Sequence, residues 1–193
     1  MTIPALTLAL SSADKWMGMT IAMGLALAGA LTLPAVRRRL KPSGFGVTAG
    51  IGAGLLLYGL SALTAAVIFA LNPAWESTAR ILYSWREGHS ALFIGLTLPM
   101  IVLAEEALWR GVVAQYLVER CGKMTGIVVA AGIYTLAHWA AFNPLMLFAA
   151  FACGIFWGLL YVVTDDLVAP TVSHLLWDVL LLFVAPVVSL PNS

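Results

Sequence analysis

The chain has 193 residues, 62% hydrophobic and only 10% charged, with a mean hydropathy of +0.97. A soluble domain carries about 25% charged residues, so the composition excludes an ordinary water-soluble globule. It predicts an all-α, polytopic membrane helix bundle in one domain, 1–193. A net charge of +1, with no basic run interleaved with aromatics, argues against a nucleic-acid partner. Cys121 and Cys153 lie far apart, fit no metal or disulfide spacing, and read as small apolar filler.

Met1 to Lys15 is short and mostly small or apolar, and is expected at a membrane surface. It has no basic region before the first apolar run and no small-residue cleavage site, so no cleaved signal peptide is expected. Trp16 to Val36 is uncharged and long enough to cross a core of ~30 Å. It stops at Arg37-Arg38-Arg39-Leu40-Lys41, the densest basic cluster. Gly46 to Leu71 forms the second expected span of a leading pair, 16–71. Gly46, Gly50 and Gly54 recur every four residues there, as in a close helix contact, although glycine is also simply common in membrane helices.

Asn72 to Ser90 is the one long polar connection, and Asn72-Pro73 suits a helix start. Trp75, Ala79, Leu82 and Trp85 share one helical face, and Glu76, Arg80, Tyr83 and Glu87 another. That pattern predicts an amphipathic helix lying in the interface. The third span runs from Leu92 to Val118, with Pro99 inside it. Met124 to Thr164 is too long for one crossing, and Asn143-Pro144 divides it into spans ending at Phe142 and running from Leu145 to Val163. Gly154-x-x-x-Gly158 marks the fifth span. Leu167 to Leu190 is the sixth, bearing Pro170, His174 and Asp178. With the first loop inside, Arg37, Arg38, Arg39, Lys41, Arg120 and Lys123 outweigh Lys15, Arg80 and Arg86, so both termini are expected outside.

Six ionisable groups fall at membrane depth on the third, fourth and sixth spans: Glu105, Glu106, Arg110, His138, His174 and Asp178. A charge at the bilayer centre costs about 2.5–3.5 kcal/mol even on lenient scales, so such groups turn inward and pair. Glu106 and Arg110 stand four apart on one helical face, as do His174 and Asp178. Glu105 points about 100° away from Glu106. Glu106 therefore reads as Arg110's structural partner, and Glu105 as the free acid, with His138 or His174 to meet it. Depth is uneven: Glu105 and His138 lie roughly 21–22 Å from the inner loops, but His174 only about 12 Å. A break at Pro170, or a lower start of the span, would reconcile them.

Glu105-Glu106-x-x-x-Arg110, Tyr134-x-x-x-His138 and His174-x-x-x-Asp178, in that order on membrane helices, resemble the three motifs of the CPBP family. That group comprises CAAX proteases and bacteriocin-processing enzymes, including type II CAAX prenyl endopeptidases. The likeness spans about Ala104 to Leu180, and includes the Gly154-x-x-x-Gly158 helix and the Thr164-Asp165-Asp166-Leu167 turn. Tyr134 stands where the family usually has Phe, and Asp178 where it has Asn or sometimes Asp. An ionised Asp donates no hydrogen bond, so Asp178 is expected to orient His174.

The resemblance implies a glutamate-dependent intramembrane endopeptidase in the bacterial inner membrane, with a motif-bearing core over about 91–190. Glu105 with His138 would activate a water. His174, supported by Asp178, would stabilise the oxyanion or protonate the leaving amine. The implied substrate is a membrane-anchored or prenylated protein or peptide, with no cofactor or metal. One rival is a metalloprotease built on the same Glu, His and Asp groups, although no His-Glu-x-x-His element is present. Another is a proton-coupled carrier or a bacteriocin-immunity protein.

Overall fold

The computed structural model describes residues 14–188. Residues 1–13 of the expected surface segment lie outside that range, as does the Leu190 end of the last expected span. The described chain is helical throughout: α1 Lys15–Ala30, α2 Pro34–Arg39, α3 Gly44–Leu71, α4 Ala74–Tyr83, α5 Ala91–Leu108, α6 Gln115–Cys121, α7 Lys123–Ala137, α8 Pro144–Thr164 and α9 Val168–Val179. A π-helical turn, Trp109–Ala114, joins α5 to α6, and another, Leu180–Val184, extends α9.

Four stretches are long and apolar enough to cross a membrane: Gly44–Leu71, Ala91–Cys121, Lys123–Ala141 and Pro144–Thr164. The chain is an integral, multi-pass helical membrane protein, but of the about six spans expected from the sequence only four are long helices, and two are shorter apolar ones, Trp16–Ala30 and Val168–Val184. The first is cut short by Pro34, which lacks an N–H and holds Leu33 extended at ψ 118°. The 16 residues of α1 rise only about 24 Å, less than a bilayer core.

Asp14 caps α1, its carboxylate accepting from the Met17 N–H at 2.9 Å. That bond holds the carboxyl below its ordinary value of 3.8, with His89 adding to the effect. Because the native value is depressed, the cap is complete above the ordinary value and is lost as pH falls through the lowered one. The hydrogen-exchange protection of the first turn of α1, taken relative to the intrinsic exchange rate at each pH, is expected to fall on acidification in the wild type and to be low at all pH in Asp14→Ala.

Helix α1 packs on α5, where Trp16 donates to Thr97 Oγ1 at 2.9 Å above a core of Ile94, Leu98, Ile101 and Val102. Helices α7 and α8 pack together, as do α3 and α9. The glycine stripe of α3 is the α3–α9 contact. A Cβ on Gly50 would sit 2.7 Å from the Ala169 carbonyl oxygen, and one on Gly54 would sit 2.9 Å from that of Ser173. Backbone cannot yield as a side-chain tip can, so Gly50→Ala is expected to cost about 1–3 kcal/mol, read as a lower melting temperature in detergent. Gly154 and Gly158 do the same work between α8 and α7, against Ala131 and Ile127.

Helix α4 forms as expected, with Asn72 Oδ1 accepting from the Ala74 N–H. It buries Ala79 and Tyr83 rather than the whole predicted tryptophan face. Tyr83, placed by periodicity on the polar face, is buried because its hydroxyl accepts from the Val187 N–H at 3.2 Å. On the opposite face of the bundle, Arg39 pairs with Asp165 at 3.2 Å, and Ser43 donates to Asp166 at 2.7 Å. These contacts join the start of α9 to the α2–α3 connection.

Candidate active site

The Glu-Glu pair sits in the last turns of α5, immediately before the π turn at Trp109–Ala114. Wide turns of this kind are frequent at functional sites. Here Arg110 lies in the turn and still reaches back one helical turn, its Nη1 donating to Glu106 Oε1 at 3.0 Å. Its Nη2 donates to the Cys153 carbonyl at 3.4 Å, and the guanidinium lies 5.0 Å from the Tyr134 ring and 5.2 Å from that of Trp157. The ring faces carry negative charge density, so they suit a cation removed from water.

His174 comes from α9, and its Nδ1 lies 2.8 Å from the same Glu106 Oε1. A carboxylate accepts only, so Nδ1 carries the hydrogen and Nε2 faces outward. Nε2 is 4.0 Å from Glu105 Oε2 and 3.6 Å from Asp178 Oδ2. Trp157 stacks on the imidazole at 3.7 Å and donates to Ser173 Oγ at 3.2 Å, fixing the ring from the other side.

The structure thus brings His174 to both glutamates despite the uneven depths. Pro170 does not break α9: it lies in the first turn, where its missing N–H costs no helical bond. The π turn, with more residues per turn, accounts for part of the depth difference. The expected Glu106–Arg110 bridge forms, and the same Glu106 oxygen also holds His174. Asp178 also faces the imidazole, 3.6 Å from Nε2 and so in ion-pair range, while the hydrogen bond to the ring is made by Glu106.

Glu105 takes a different set of neighbours. Its Oε2 accepts from the Tyr134 hydroxyl at 2.8 Å. His138, the expected partner of Glu105, caps α7 instead, and its Nδ1 donates to the Tyr134 carbonyl at 2.8 Å. The two share a wall rather than a bond. A cavity of about 490 Å³ is bordered by Glu105, Tyr134, His138, His174 and Asp178, with apolar side chains beyond. Glu106 and Arg110 are not in its wall. The Glu106 side chain is 0% exposed against 8% for Glu105, so only Glu105 of the pair can meet a ligand.

Two residues of this arrangement carry no sign in the sequence pattern, Trp157 and Ser173. Both are small parts of apolar runs, and their roles arise only where α8 meets α9. Among the described residues, no three His, Cys, Asp or Glu side chains are arranged to hold a metal ion.

These features define a membrane-embedded helix bundle with a buried Glu/His/Arg cluster opening on one side to an internal cavity. Residues 87–180 match the family model described as Type II CAAX prenyl endopeptidase Rce1-like. The matched stretch, 94 of 193 residues, is an Rce1-like CAAX protease family domain over part of the chain, and it contains all six polar residues of the cluster. No curated protein and no solved structure matches the chain.

Proposed function

We propose that the protein is an intramembrane endopeptidase that hydrolyses a peptide bond of a membrane-associated or lipid-modified protein or peptide. The observation that carries this reading is that Glu105 and His174 line the same cavity side by side, 4.0 Å apart at their nearest polar atoms. A carboxylate and an imidazole that face one cavity can act together on a water and a peptide carbonyl placed in it.

Glu105 takes a proton from the water as its oxygen adds to the carbonyl carbon. His138 shares the cavity wall and, with Nδ1–H spent on a backbone carbonyl, offers Nε2 to the same water. His174 in its protonated form donates from Nε2 to the developing oxyanion, and then gives that proton to the departing amine. The proton held on Glu105 restores His174, so the sum is water plus peptide giving acid plus amine. Glu106, Arg110 and Trp157 touch no reacting atom. They hold the imidazole at the angle this transfer needs.

The apolar walls of the cavity suit a substrate delivered from the bilayer. The excess of Arg and Lys beside the first loop supports an orientation with both termini outside, and we place the protein in a bacterial inner membrane. Comparing the membrane proteome of cells carrying the active protein with that of cells carrying Glu105→Gln tests the reading. The expected result is a membrane-anchored protein that loses a terminal fragment only with the active form. Identical proteomes under conditions of full expression would overturn it. A metalloprotease would instead lose its cleavage to a strong chelator.

A further inference from the structure

Tyr134 reaches three members of the cluster at once. Its hydroxyl donates to Glu105 Oε2, its carbonyl accepts from His138 Nδ1, and its ring lies under the Arg110 guanidinium. Trp109 meets the ring edge-on at 5.3 Å, and His138 does so at 4.4 Å. The ring is thereby clamped on several sides. A buried phenol needs a partner, and the clamp leaves this one a single direction, toward Glu105.

We infer that Tyr134 is a positioning residue for the base. Its O–H occupies Oε2 and fixes the carboxylate rotation about the last side-chain torsion, which is otherwise broad. The second oxygen, Oε1, accepts no hydrogen bond from any described residue and is left to take the proton from water. Glu106, Arg110, His174 and Asp178 are the other charged or titratable groups around Glu105, and among the described residues none of them hydrogen-bonds it. Tyr134 therefore alone sets the orientation of the base. This role rests on the endopeptidase reading; the hydrogen bond itself does not.

The test separates the two. Infrared difference spectra of the full chain in phosphatidylethanolamine–phosphatidylglycerol vesicles, wild type minus Glu105→Gln, isolate the Glu105 carboxylate without any substrate. In Tyr134→Phe the carboxylate stretching bands of Glu105 are expected to shift. 3-Fluorotyrosine at position 134, which keeps the shape and the fold, is expected to shift them in the sense of a stronger donor. Bands unmoved by both changes overturn the proposal.

Cleavage of the substrate from the proteome comparison supplies the functional arm. Tyr134→Phe is expected to lower kcat about 10- to 100-fold, the worth of one hydrogen bond to a charged group. KM should stay within about twofold, because Tyr134 acts on the base and not on the bound peptide. An unchanged kcat overturns the positioning role, while an inactive Glu105→Gln keeps the endopeptidase reading intact. An active Glu105→Gln removes the base, and the positioning role falls with it.

Discussion

Glu105→Gln is expected to slow cleavage by about 10²–10⁴-fold, the usual contribution of a positioned general base, while the protein stays folded. The amide has the size of the carboxylate, and its oxygen can still accept from the Tyr134 hydroxyl. What it cannot do is take a proton from water. The side chain faces the cavity rather than a packed core, so little contact is lost. The measurement is the rate at which a new terminus appears on a substrate reconstituted with the protein in vesicles, beside a melting curve of the same variant. Cleavage at the wild-type rate would sink the assignment. A carrier or an immunity protein, which binds without chemistry, is distinguished by keeping its activity in this variant.

Arg110→Met is expected to damage stability more than any other single change in the cluster. It leaves Glu106, fully buried, with only His174 to answer its charge. Removing one partner of a buried ion pair costs about 3–5 kcal/mol. The change also strips the donor from the Cys153 carbonyl and the cation from the Tyr134 and Trp157 rings. Arg110→Lys should recover only part of the loss, since a point charge cannot serve carboxylate and carbonyl with the geometry of the guanidinium fork. The coupling shows in the double variant Arg110→Met/Glu106→Gln. Its loss is expected to fall short of the sum of the two single losses, because neutralising Glu106 removes the charge left behind by Arg110. Melting temperatures of all four proteins in one detergent check this, and strict additivity would mean that the pair is not coupled.

Glu106 also explains why activity should fall in Arg110→Met even where folded protein survives. The same oxygen that binds Arg110 holds Nδ1 of His174. With the guanidinium gone, the carboxylate is free to rotate, and the imidazole with it. A charge that looks purely structural in the sequence thus reaches the reacting groups through one shared atom.

Much of the fold was legible in the chain itself. The break at Asn143-Pro144 appears as written, with Asn143 capping α8. The amphipathic helix α4 begins next to Asn72-Pro73, as that pair suggested. The glycine repeat of α3, ambiguous as a pattern, turned out to be a contact because α9 lies directly against it. What the pattern overstated was the number of full-length spans. Hydropathy counts apolar residues and does not register that Pro34 ends a helix in the middle of an apolar run. It also does not register that Trp109–Ala114 opens into a π turn, since that depends on where Arg110 must reach.

For the site, helical periodicity by itself determined every pairing within one helix. Glu106 faces Arg110 and His174 faces Asp178 because residues four apart lie one above the other. The cost of charge in a bilayer likewise determined that these groups turn inward together. Only the tertiary structure decided which acid meets which base. Glu106 and His174 stand 68 positions apart, and no spacing rule connects them. Their meeting depends on how closely α9 is drawn against α3 by Gly50 and Gly54, and on where the Trp157 ring comes to rest on the imidazole. Glu105, alone of its pair, was left facing the cavity.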